Sequence, residues 1–207
     1  MRPAVALVTL LACAPVACAP VASAQDARLA ARLDRGTRIA VAALVDSARR
    51  AKLPTAPLVD KALEGAAKGS TGPKIVSAVR LLSVRLAESR RVMGTDVTNA
   101  EIEAAATALD AGVGAHDLAR LRAAAGKRHV TVPLAALTDL IGRNVPVATA
   151  VNVVISLAKA GVRDSDIAMF ERNVRLDIER GADPGAAATT RASGVMLRGA
   201  ARPARTL

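Results

Sequence analysis

The only histidines are His116, followed at once by Asp117, and His129, which closes the run Gly126-Lys127-Arg128-His129. A histidine beside a carboxylate can act as a general base, and histidines with further donors can hold a metal. A metal needs three or four convergent ligands, and local spacing brings none to either histidine. Asp117 falls in the first turn of a helical pattern, where a negative charge complements the helix dipole. The sequence therefore assigns no catalytic residue, metal ligand or cofactor-binding residue, and the chain is expected not to be an enzyme.

Gly65-Ala66-Ala67-Lys68-Gly69-Ser70-Thr71 holds the residue types of a phosphate-binding loop in the wrong order. That loop ends Gly-Lys-Ser/Thr after a strand, and no strand pattern precedes this segment. It reads as a helix end followed by a cap. Two turns, Gly69 with Ile75 and Leu157 with Gly161 and Ile167, resemble those of DNA-binding helix-turn-helix motifs. Any tight turn between packed helices needs the same spacing. The second candidate helix opens Arg163-Asp164-Ser165-Asp166, and paired acids are poor neighbours for phosphates. Nucleic acid is not the expected partner.

Cationic pairs are the remaining chemical signal. The chain has 29 Lys and Arg against 18 Asp and Glu. Arg49 and Arg50, Arg90 and Arg91, and Lys127 and Arg128 fall at or near helix ends. Cations in a last turn complement the helix dipole, which accounts for part of the pattern. The same six residues are candidate contacts for an anionic envelope polymer or a membrane surface.

The elements that position these residues are helices. From Val145 to Ile178 an apolar run is followed by Gly161-Val162 and a second run, with Ile167, Phe170, Val174 and Ile178 spaced by three and four. Gly161 stands where a helix needs a left-handed C-terminal residue, so a helical hairpin is predicted. A hydrophobic residue before a helix, paired with one five positions on, recurs as a hydrophobic staple. Leu53 with Leu58, Val97 with Ile102, Val113 with Leu118 and Val162 with Ile167 fit. Val130 with Ala135 and Val145 with Ala150 are weaker. Thr98 and Glu101 form a capping box, Thr71 and Thr131 stand at cap positions, and Pro57, Pro73 and Pro133 fall in first turns. With a helix from Thr37 to Ala51, the chain is predicted all-α, with about eight helices in antiparallel hairpins. They stack as a short helical-repeat-like array or a compact bundle. Phe170 is the only aromatic residue, so Ala, Val and Leu must fill the core, which disfavours a deep cofactor pocket.

The ends of the chain read differently. Arg2, the apolar stretch Ala4 to Leu11 and the small-residue exit Ala22-Ser23-Ala24 make residues 1–24 a secretory signal peptide. A lipoprotein-type site at Cys13 is the less favoured alternative. Cleavage after Ala24 removes Cys13 and Cys18, leaving a cysteine-free mature chain held by its core alone. No later apolar run approaches the roughly 20 residues a spanning helix needs, so the mature chain is expected to be soluble. Residues 25–36 are expected to be a lead-in, 37–180 a single helical domain, and 181–207 a disordered basic tail rich in Ala, Gly and Arg. The expected function is that of a secreted or periplasmic non-enzymatic interaction or scaffold protein with a protein partner. The alternative is a binder of anionic envelope polymers or membrane surfaces through basic helix ends and tail.

Overall fold

The computed structural model describes residues 27–200. Within them nine helices follow one another without a strand. They are α1 (Arg35–Arg50), α2 (Ala56–Ala67), α3 (Gly72–Met93), α4 (Asn99–Asp110), α5 (Ala115–Ala125), α6 (Thr131–Gly142), α7 (Val147–Lys159), α8 (Asp164–Glu179) and α9 (Pro184–Ala200). A single helical turn over residues 27–30 precedes them. The signal segment, its cleavage site, Cys13 and residues 201–207 lie outside the described residues.

One turn design is used six times. Lys52, Gly69, Gly112, Asn144, Gly161 and Gly181 take positive φ immediately after a helix. The N–H of the following residue reaches back five positions: Leu53 to the Ala48 carbonyl, Ser70 to Gly65, Val113 to Ala108, Val145 to Leu140, Val162 to Leu157 and Ala182 to Asp177, all at 2.9–3.1 Å. This is the Schellman closure, which satisfies carbonyls that a helix end leaves orphaned. Leu53, Val113, Val145 and Val162 are buried; the three valines also stand at the N′ position of the next helix, and Leu53 one residue before it. One apolar side chain thus closes one helix and anchors the next.

Every substantial helix–helix contact joins elements one or two places apart in the chain. α1, α3, α5, α7 and α9 touch in succession and form one row. α4, α6 and α8 form a second, with α2 held to α1 and α3. The body is therefore compact and bundle-like, its helices set in two rows of near neighbours. Small residues set the close approaches. A Cβ at Gly72 would fall 2.1 Å from Thr37 Oγ1, so the first turns of α1 and α3 lie in close contact. Two apolar clusters fill the interior: Leu29 through Ala106 at the N-terminal end, and Met93 through Val195 around Phe170.

Several sequence expectations need correction. α1 begins at Arg35 rather than Thr37, because Asp34 caps it by accepting from the Thr37 N–H at 3.0 Å. Leu29 and Leu33 in the lead-in are buried. The largest correction concerns the basic tail, since residues 184–200 are a helix. Ala187, Ala188, Ala192 and Val195 of α9 are buried, and α9 packs on α7 and α8. Its core face consists mostly of alanine, which a search for large apolar periodicity passes over. α7 and α8 are joined by the predicted Gly161 turn, yet neither is the other's main partner: α8 packs on α6 and α9. Thr131 is the first residue of α6, not its cap, and Ala135 is exposed.

Candidate functional surface

Glu101 is the most constrained charged group described. It is 2% exposed and completes the predicted capping box of α4. The Thr98 N–H and hydroxyl donate to its Oε2 at 2.9 and 3.0 Å, and the buried Val130 N–H donates to its Oε1 at 2.9 Å. Arg122 lies 3.7 Å and His129 3.6 Å from the same oxygen. Burial alone would raise the Glu101 pKa, but the Thr98 and Val130 bonds, with His129 nearby, outweigh it and hold the carboxyl below its usual range. One carboxylate thus ties the starts of α4 and α6 to the end of α5. The capping half of this role is visible in the sequence. The bond across 29 residues is not.

The six candidate anion contacts fall at or just beyond the ends of first-row helices: Arg49 and Arg50 in the last turn of α1, Arg90 and Arg91 in the last turn of α3, and Lys127 and Arg128 just after α5. They differ in their engagements. Arg49 pairs with Asp46. Arg128 donates to the Ala158 carbonyl at the end of α7, while its own carbonyl accepts from Arg122 at 2.8 Å. Arg128 is thus a clamp between α5 and α7. Among the described residues Arg50, Arg90, Arg91 and Lys127 have no ion-pair partner. His116 is 85% exposed, with Asp117 3.7 Å away.

A carboxyl pair in the second row was not foreseen. Asp139 of α6 and Glu171 of α8 lie close enough to shift one another's titration. Burial and the neighbouring Asp139 push the Glu171 pKa up. Burial would do the same to Asp139, but the Arg143 guanidinium overrides it and lowers the value. Arg143 grips both Asp139 oxygens, at 2.7 and 3.1 Å. An open cleft of about 610 Å³ lies beside Asp139, lined by Ala104, Thr107, Ala135, Thr138, Gly142 and Arg143. Thr107 and Thr138 donate to carbonyls of their own helices, and Asp139 is committed to Arg143. Among the described residues no three His, Cys, Asp or Glu side chains gather as a metal site, and no helix is long and apolar enough to cross a membrane.

The two rows divide the charge. α1, α3, α5, α7 and α9 carry 14 Lys and Arg against 3 Asp and Glu. α2, α4, α6 and α8 carry 3 against 11. Comparison with protein-family models, curated proteins and solved structures gave no match. What singles out this surface is physical. Like charges gathered on one row sustain a field that interspersed signs would cancel.

Proposed function

We propose that this chain is an exported, non-enzymatic interaction scaffold, a stack of helices whose two rows offer surfaces of opposite charge. The division of charge between the rows carries this reading. Charge complementarity selects partners and steers encounter, and a stack of short helices presents it over a long face. Export rests on Arg2, the apolar stretch from Ala4 to Leu11 and the Ala22-Ser23-Ala24 exit. On the acidic row Met169 and Leu176 stand exposed on α8 with Arg172 between them, an apolar contact point for a protein partner.

The test places a photocrosslinking residue at Met169, and separately at Leu176, in the exported chain in its own cells. A defined protein adduct is expected at both positions. It should disappear when the acidic row is altered by Glu103→Gln and Asp110→Asn. Adducts at neither position, or adducts indifferent to those changes, would overturn the scaffold reading. A second reading, binding to anionic polymers or membrane surfaces, is favoured by the unpaired state of Arg50, Arg90, Arg91 and Lys127. Its retention on an anionic matrix should weaken steeply with salt.

A further inference from the structure

The basic row is not uniformly polar. α1 and α3, side by side at its N-terminal end, expose Ile39 (58%), Leu81 (57%) and Val84 (57%). Around them stand Arg35, Arg38, Lys74 and Arg80, none of which has an ion-pair partner among the described residues. Of the acids here, Asp46 is held by Arg49 and Glu88 by Arg85. Asp34, which caps α1 through Thr37, is the one carboxylate at this end with no cation on it. Four cations against that single charge leave the face net positive, interleaved with aliphatic side chains that the fold does not use.

From this juxtaposition we propose that the outer face of α1 and α3 docks on an anionic phospholipid bilayer. Arginine and lysine would meet the lipid phosphates while Ile39, Leu81 and Val84 enter the headgroup layer. The proposal rests on the second reading above and narrows it to one face and one partner. Three arguments favour a bilayer over a dissolved polymer. A soluble polyanion offers charge but no apolar phase, so it leaves the three aliphatic side chains unaccounted for. A bilayer accepts both, and each Lys or Arg near an anionic surface adds to the attraction. The acidic second row, by contrast, is repelled by the same surface, so only one orientation brings the molecule down. With no aromatic anchor on this face and only three aliphatic groups, the attachment is reversible and needs the charges.

The experiment is flotation of the full mature chain with vesicles of phosphatidylglycerol and phosphatidylcholine, vesicles of phosphatidylcholine alone, and soluble dextran sulfate as competitor. Binding is expected only to the anionic vesicles, falling at least tenfold between low and moderate salt. Replacing Arg35, Arg38, Lys74 and Arg80 together by Gln should reduce it at least tenfold. Replacing Ile39, Leu81 and Val84 by Ser should reduce vesicle binding several-fold while leaving affinity for dextran sulfate unchanged. The matched change Met169→Ser with Leu176→Ser on the acidic row should do neither. All nine side chains changed in the test variants face solvent or its edge, and circular dichroism of each variant is to check that it folds. Binding to dextran sulfate without binding to vesicles would overturn the bilayer proposal and keep the polymer reading. Binding to neither would overturn both. Vesicle binding indifferent to the Ser variant, or a salt-sensitive self-association that the Gln variant abolishes, would assign the face to another occupant.

Discussion

Glu101 illustrates how one side chain can hold several elements. Its oxygens accept from the Thr98 N–H, the Thr98 hydroxyl and the buried Val130 N–H. Glu101→Ala would orphan the buried Val130 N–H and leave Arg122 without its nearby carboxylate. A loss of about 3 kcal/mol is expected, read as a shift in denaturant midpoint. Because the folded carboxyl titrates below its ordinary value, its contribution is present at neutral pH. It is lost as pH falls through the folded value. Native protein should therefore lose more thermal stability from about pH 6 to about pH 3 than Glu101→Gln does. Equal losses would show that other carboxylates carry the acid response. Arg128 teaches the converse lesson: a loop cation that the sequence offers for ligand contact is held by the Ala158 carbonyl.

At the scale of the element, the sequence is most legible where a turn and a helix start share residues. Val97, Val113 and Val162 were recognisable because each precedes a helix by a fixed offset, and Val113 and Val162 also follow a glycine. The same closure at Lys52 and Asn144 is less visible, since neither residue announces a left-handed backbone as glycine does. Long-range pairing is not encoded locally at all. The partners of α8 are α6 and α9, and no spacing within α8 specifies them. Val162 offers the sharpest test of the turn. Val162→Asp places a carboxylate at a position only 8% exposed, where both the end of α7 and the start of α8 depend on an apolar side chain. A loss of about 2–4 kcal/mol is expected by denaturant unfolding. Unchanged stability would mean that the turn is held by its backbone bonds alone.

For the molecule as a whole, contacts limited to near neighbours make the ends decisive. A helix in the middle of a stack is held from two sides, whereas a terminal one has neighbours on one side only and shields those it covers. α9 covers α7 and α8 with Ala187, Ala188, Ala192 and Val195, and Arg191 pairs with Asp177 of α8. The alanine-rich composition that made this segment read as a disordered tail is also what lets α9 lie close against its neighbours. The two views differ measurably. A chain ending at residue 183 would melt like the full mature chain if the segment were a tail. As a covering helix, its removal exposes apolar faces of α7 and α8, and melting should fall on the order of 10 °C. Truncation also removes Arg191 and Arg198, so a second disruption is needed that keeps them. Ala188→Asp, at a position with no exposure, leaves both cations in place and should lower melting in the same direction. If neither change moves the transition, α9 lies on the stack without stabilising it, and the basic row ends in effect at α7.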